Sequence, residues 1–286
     1  MGRRFRSWIQ FAAALIQNAN FRGFFTGKLY QGAGKNACVP GLNCYSCPGA
    51  VASCPIGALQ SFLANRPIKI PYYVMGLLFF FGVLFGRAVC GFLCPFGFLQ
   101  ELLHKIPFPR RKPRRIPGDR PLRYLKYLSL LGTVLLLPML LARTPFFCKY
   151  ICPVGTLEGG VPLVLFHAGS LQLSVGPLFF WKAFLLLAVL AASLLLYRPF
   201  CKYLCPLGAY YGLFNGVSLY RLHLDTKACI HCGKCAQACR MQVDPAVAPG
   251  SPECIRCGAC AAACPTSALR MGFAPEKHCA AVQKQK

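Results

Sequence analysis

The chain has 286 residues, of which 56% are apolar and only 14% charged, and its mean hydropathy is +0.47. An ordinary soluble domain carries about a quarter charged residues, so this composition excludes a typical water-soluble enzyme and points to a bilayer. Charge is lopsided, 32 Lys and Arg against 7 Asp and Glu. In a membrane protein such an excess belongs first to loops that fix orientation, ahead of nucleic-acid recognition, for which no reading motif is present.

In chain order, the basic start Met1–Arg6 is followed by no A-x-A-like cleavage site, so no signal peptide is expected. Ser7–Phe21 is apolar but interrupted by Gln10, Gln17, Asn18 and Asn20. It reads as a short span, with an interfacial helix anchored by Trp8 as the alternative. Three longer stretches, roughly Ile70–Val89, Leu122–Ala142 and Pro177–Tyr197, each approach the ~20 residues that a hydrocarbon core requires. Gly155–Val175 is broken by Gly159, Gly160, Pro162 and Gly169 and reads as a re-entrant or surface connection. The loop His104–Lys126 carries Lys105, Arg110, Arg111, Lys112, Arg114, Arg115, Arg120, Arg123 and Lys126, and its prolines keep it extended. Short basic loops stay cytoplasmic. Alternation of spans then puts the chain from about Arg221 onward in the cytoplasm, and docking of an acidic partner is a second use for the loop.

A unit recurs along this region. Cys90-Gly-Phe-Leu-Cys94-Pro95-Phe-Gly97, Cys148-Lys-Tyr-Ile-Cys152-Pro153-Val-Gly155 and Cys201-Lys-Tyr-Leu-Cys205-Pro206-Leu-Gly208 each follow an apolar stretch. Near the N-terminus, Cys54-Pro55-Ile-Gly57-Ala-Leu-Gln60 echoes Cys94-Pro95-Phe-Gly97-Phe-Leu-Gln100. The chain is built from repeats of an apolar segment joined to C-x3-C-P-x-G.

Nineteen cysteines exceed any need of packing. Disulfide frameworks belong to small secreted domains, whereas most cysteines here lie two to four residues from another, which is ligand spacing. The tail reads Cys229-Ile-His-Cys232-Gly-Lys-Cys235-Ala-Gln-Ala-Cys239 and repeats as Cys254-Ile-Arg-Cys257-Gly-Ala-Cys260-Ala-Ala-Ala-Cys264-Pro265. This resembles the bacterial ferredoxin run C-x2-C-x2-C-x3-C-P, in which the fourth Cys ligates the other cluster. The resemblance implies one [4Fe–4S] cluster on Cys229, Cys232, Cys235 and Cys264, and another on Cys254, Cys257, Cys260 and Cys239. Zinc knuckles would not need the third and fourth cysteines of each run. One departure is Arg240 after Cys239, where the second copy has Pro265.

Each C-x3-C-P supplies the last two ligands of such a run, and two pairs complete a cubane. By alternation Cys90, Cys94, Cys201 and Cys205 share the inner face, a full set of four. Cys38, Cys44, Cys47, Cys54, Cys148 and Cys152 share the outer face. Those six either hold one cluster with two thiols over or remain thiols and disulfides. About 30 Å of hydrocarbon between the faces opposes direct transfer unless the motifs lie within the membrane. Cys279 has no assigned role. His231 reads as an exposed spacer or a cluster-tuning group, and His167 as an ordinary partnered histidine. No nucleotide loop or Ser/His/Asp constellation is present, so independent catalysis is not expected.

Spans, C-x3-C-P motifs and a two-cluster tail together resemble the NapH/NosR-type membrane ferredoxins, the 4Fe–4S binding proteins associated with nitrate and nitrous oxide respiration. The resemblance covers about residues 30–270, although this chain has three C-x3-C-P motifs where better-known members have two. It implies a mainly α, polytopic membrane helix domain of about four spans at residues 1–220. A bacterial-type 2[4Fe–4S] ferredoxin-like α+β module follows at 221–272, then a tail at 273–286. The expected cofactors are two [4Fe–4S] clusters in the module, one further cluster at the membrane-proximal motifs, and a second there if the outer set binds. The implied role is electron transfer at the cytoplasmic membrane between the quinone pool or a soluble donor and a redox partner protein. The alternatives are reductant supply for metalloenzyme maturation and redox sensing.

Overall fold

The computed structural model describes residues 3–65, 70–107, 117–142, 144–167 and 176–273. The most basic part of the loop after Pro107, the end of the Gly155–Val175 segment and Cys279 lie outside the described residues.

Two helices are long and apolar enough to cross a membrane, Asp119–Leu140 with 22 residues and Pro177–Leu195 with 19. Only 22% and 11% of their apolar windows are buried inside the protein. A soluble core helix would instead be mostly covered. Leu131, Leu140, Phe180, Phe184 and Leu187 are all more than half exposed, a surface that water penalises and lipid does not.

The other expected spans come out shorter. Ile70–Val89 forms the helix Tyr72–Phe85, 14 residues or about 21 Å of rise. It ends because Gly86 adopts φ +50°, where a Cβ would lie 2.7 Å from Asn215 Oδ1. The chain then turns the wholly buried Arg87 inward and starts a separate helix, Ala88–Phe92. Gly155 onward joins the apolar helix Pro153–Phe166.

The N-terminal helix Arg3–Gln17 is built inside out. Arg6, Gln10, Ala13 and Gln17, spaced along one helical face, are buried, whereas Trp8 is 69% and Ile16 71% exposed. The glutamines that make the segment a poor span donate inward: Gln10 Nε2 to Gly91 O at 2.8 Å and Gln17 Nε2 to Leu93 O at 2.9 Å. They satisfy buried carbonyls of the Cys90–Cys94 turn, with Arg6 Nε as a second donor to Gly91 O at 3.2 Å.

The C-terminal module is closed by two antiparallel strands, Arg221–Leu224 and Leu269–Gly272, in register Arg221↔Gly272 to Leu224↔Leu269. This pairing brings the two ends of the module together and folds the intervening cysteine runs back on each other.

Candidate metal centres

The C-P-x-G sequence has a local structural meaning. Cys54, Cys94, Cys152 and Cys205 each stand just before a helix, with proline at the first helical position, where its missing N–H costs nothing. The glycine two residues after the proline turns its N–H back on the sulfur: Gly97 N to Cys94 Sγ at 3.4 Å and Gly208 N to Cys205 Sγ at 3.3 Å. These helix N-termini favour thiolate, the form that binds metal. Glycine is required by space as well, since a Cβ on Gly97 would come within 2.9 Å of Arg198 Nη1.

Cys90, Cys94, Cys201 and Cys205 are all buried and lie within electrostatic reach of one another. Gln100 bridges the two motifs, its Nε2 donating to Cys201 Sγ at 3.3 Å while its Oε1 accepts from Phe200 N at 3.1 Å. Two fully buried guanidinium groups flank the set. Arg198 donates to Cys90 O at 2.5 Å and pairs with Glu101 at 2.7 Å. Arg87 donates to Cys201 O at 2.8 Å.

Around the remaining six cysteines the fold repeats itself. Gln60 Nε2 donates to Cys148 Sγ at 3.4 Å and its Oε1 accepts from Phe147 N at 2.9 Å. This is the Gln100 arrangement transposed. Cys44 lies within electrostatic reach of Cys54 and Cys152, and Cys148 of Cys152, Cys54 and Cys44. Among the described cysteines Cys38 interacts electrostatically with Cys54, and Cys47 interacts with Glu158 and Lys35.

The sequence separates these six from the first set by the thickness of a bilayer. In the fold, Cys54 and Cys152 belong to the same apolar core as Cys90, Cys94, Cys201 and Cys205. The physical reason is the segment Pro40–Asn43, which runs between the sets. Gly41 packs so closely that a Cβ would stand 3.2 Å from Cys94 Cα. Leu42 N–H points to the Cys94 sulfur and Asn43 N–H to that of Cys54. Tyr211, wholly buried, lies within reach of Cys90, Cys94 and Cys54 and donates its hydroxyl to Pro40 O at 3.0 Å.

In the tail, Cys229, Cys232, Cys235 and Cys264 line one cavity of about 130 Å³, and Cys239, Cys254, Cys257 and Cys260 line a second. Each cavity thus joins three cysteines of one run to the fourth of the other. The two runs differ in their surroundings. His231 and Arg256, at matching positions, both adopt φ near +50°. His231 is exposed, whereas Arg256 is buried and donates to Phe85 O at 3.0 Å, Asn215 O at 2.7 Å and Ser218 Oγ at 2.6 Å. Arg256 therefore fastens the second cavity to the end of the Tyr72–Phe85 helix, and the first cavity faces outward. Arg240, the departure from the motif, stacks its guanidinium 5.5 Å from the centre of the Tyr197 ring.

Glu253 locks the same junction. It pairs with Arg87 at 2.9 Å and with Lys126. Burial alone would raise its carboxyl, but the two cations hold it below the unperturbed 4.5. A depressed carboxylate stabilises above its unfolded pKa and loses that contribution as pH falls through the folded value. Amide-exchange protection around Pro252–Ile255 is therefore expected to fall on acidification below about 4.5. Glu253→Gln should flatten this dependence, and unchanged protection through that window in the parent protein would contradict the assignment.

Sequence reasoning passed over Arg87, Arg198 and Arg256, which look like any other basic residues in a basic chain. Gln60 and Gln100 were visible in the repeat, but their meaning was not. Among the described residues no group of three or more His, Cys, Asp or Glu forms a site for a single metal ion. Four thiols around a shared space, several receiving backbone N–H groups, instead suit a cluster. The fold and these sites define an iron–sulfur protein of the ferredoxin type.

Comparison with known proteins agrees. A family described as "4Fe-4S binding domain" matches residues 70–116, 126–161 and 178–225, each match containing one C-x3-C-P motif, and a "4Fe-4S dicluster domain" matches 221–265. The methylamine utilization ferredoxin-type protein MauN of Paracoccus denitrificans is 33% identical over 65% of this chain and 60% of its own length. The putative electron transport protein YccM of Escherichia coli is 32% identical over 57% of this chain and 44% of its own. The regulatory protein NosR of Pseudomonas aeruginosa is 29% identical over 56% and 21%. The chain thus spans less than two thirds of each of these three relatives. No solved structure matches it. The chain carries 4Fe–4S ferredoxin-type domains and is similar to ferredoxin-type electron transport proteins of the NapH/NosR kind.

Proposed function

We propose that this protein is a multi-pass electron relay of the cytoplasmic membrane, with its ferredoxin module on the cytoplasmic side. Electrons pass singly between a cluster on Cys229, Cys232, Cys235 and Cys264, a cluster on Cys239, Cys254, Cys257 and Cys260, and a membrane-proximal cluster on Cys90, Cys94, Cys201 and Cys205. The observation that carries this order is the junction at Ile255, whose carbonyl packs directly on Gly91, leaving no room even for a Cβ (2.3 Å). Gly91 follows Cys90, and Ile255 follows Cys254, so neighbours of ligands in two cluster sites touch. The exposed first cavity is the natural contact for a soluble donor or acceptor. Lipid-facing apolar helices and the basic loop support the membrane and its orientation, and the quinone pool is the proposed membrane-side partner. Tyr72–Phe85 and Arg3–Gln17, each short of a full span, bring the crossings to about four.

The test is anaerobic purification with iron and sulfide counting and an EPR-monitored redox titration. About twelve irons or more are expected in the parent protein, and loss of about four with one distinct signal in Cys90→Ala. A parent protein carrying only about eight irons, all in the module, sinks the reading. Reductant supply for maturation of a metalloenzyme is the second role, consistent with the same clusters. In a strain lacking this chain, a partner enzyme that keeps its metal and lacks only reductant supports the relay.

A further inference from the structure

We propose that Cys44, Cys54, Cys148 and Cys152 hold a fourth cluster, built as a pseudo-symmetric copy of the Cys90/Cys94/Cys201/Cys205 site, with Gln60 and Gln100 as matched positioning residues. This rests on the reading of that first membrane-proximal site as a cluster. The family match covers Cys148 and Cys152 but neither Cys44 nor Cys54, so half of the donor set comes from outside any recognised domain.

Three observations select these four from the six candidates. First, Cys54 and Cys94 begin equivalent helices, Pro55–Ala64 and Pro95–Lys105. Their glutamines, six residues on, reach across to the first cysteine of a partner motif, Cys148 or Cys201, with the same pair of bonds. Second, the position matching Cys90 in the N-terminal copy is Ala50, which has no thiol. Cys44 fills that vacancy from the loop and packs beside Gly155, the glycine of the Cys152 motif, where a Cβ would stand in van der Waals contact, 3.4 Å from Cys44 Sγ. Third, Cys54 and Cys148 both border Gly57, where a Cβ would stand 3.7 Å from Cys54 Cβ and 3.8 Å from Cys148 Sγ, and Cys44 and Cys152 lie within electrostatic reach of them. Cys38, by contrast, interacts with Cys54 among cysteines, and the Cys47 thiol donates to Asn18 Oδ1 at 3.8 Å.

The surroundings of the copy also differ in charge. The first set has the fully buried Arg87 and Arg198 beside it. The second has the Lys182 ammonium, donating to Cys148 O at 3.1 Å, the less buried Lys35 on the side of Cys44 and Cys47, and the Glu158 carboxyl accepting from Cys44 N at 2.8 Å. Cations favour the reduced cluster, which carries one more negative charge, so the second cluster is the lower in potential. The glutamine amide donates to a ligand sulfur in both sites, and such a bond raises the potential of the cluster that receives it.

The test counts iron and records EPR redox titrations on the full-length protein purified anaerobically. Cys44→Ala and Cys54→Ala should each remove about four of about sixteen irons and the lowest-potential membrane-proximal signal, while Cys38→Ala and Cys47→Ala keep both. In case a cysteine variant fails to fold, Gln60→Met should lower the midpoint of that one signal and Gln100→Met that of the other, with iron content unchanged. Loss of the signal in Cys38→Ala or Cys47→Ala, or a Gln60→Met titration identical to the parent's, overturns the assignment. If Cys90→Ala loses iron and Cys54→Ala does not, the first membrane-proximal cluster stands and this second one falls. If neither loses iron, the reading beneath both falls.

Discussion

Replacement of Arg87 by alanine is expected to release the ferredoxin module from the membrane-domain core and interrupt electron flow between them. The guanidinium is completely buried and holds three things at once: Cys201 O at 2.8 Å, Pro252 O at 2.7 Å and Glu253 at 2.9 Å. Its backbone N–H is bound as well, to Asn215 Oδ1 at 2.9 Å. Removing the side chain leaves two carbonyls without their donor and Glu253 with Lys126 alone. Breaking one partner out of a buried ion pair costs about 3–5 kcal/mol, a large share of a typical stability of about 5–15 kcal/mol. Arg87→Lys should recover only part, because an ammonium cannot span the fork between Glu253 and Cys201 O. The measurement is limited proteolysis in the Ser218–Arg221 connection together with the rate at which reducing the tail clusters reduces the membrane-proximal one. An Arg87→Ala protein with parental cleavage resistance and parental internal electron transfer would refute the proposed junction.

The second large effect concerns spectroscopy. In fully reduced protein the two membrane-proximal signals are expected to be split or broadened by mutual spin coupling, and Cys54→Ala should restore a simple signal from the Cys90 site. The reason lies in Leu42 and Asn43. Adjacent residues, with Cα atoms about 3.8 Å apart, point their N–H groups to sulfurs of different sets, Cys94 and Cys54. Tyr211 lies within electrostatic reach of both. Clusters on these two sets would stand on either side of one peptide unit, close enough to interact magnetically and to exchange an electron without a carrier. Two unperturbed, additive signals in the reduced parent protein would count against the arrangement. The same proximity removes the difficulty of a 30 Å gap, since both sets occupy one core.

Much of this was legible in the chain itself. The doubled tail motif resembles the bacterial ferredoxin run, which implies crossed ligand sets, and the two cavities group the cysteines in the same way. The C-P-x-G repeat specifies a thiol at a helix N-terminus, since proline suits the first helical position and glycine lets an N–H approach sulfur. The excess of apolar over charged residues fixes the bilayer as the expected solvent for the helices.

What only tertiary structure decided is the relation between these parts. Hydropathy counts apolar residues along the chain, so it assigned each motif to a face of the membrane and treated Gln10 and Gln17 as flaws in a span. Those glutamines serve carbonyls of residues far away in sequence, and no local pattern carries that pairing. Gly86 ends the Tyr72–Phe85 helix early for a similar reason: its backbone must accommodate Asn215 and Arg256. Selection of Cys44 over Cys38 and Cys47 likewise depends on where a loop is folded, which spacing leaves open. Sequence thus marked the thiols as the candidate ligands, because their spacing is that of iron–sulfur motifs. Long-range packing around buried Arg87, Arg256 and the Pro40–Asn43 segment decided which sites adjoin.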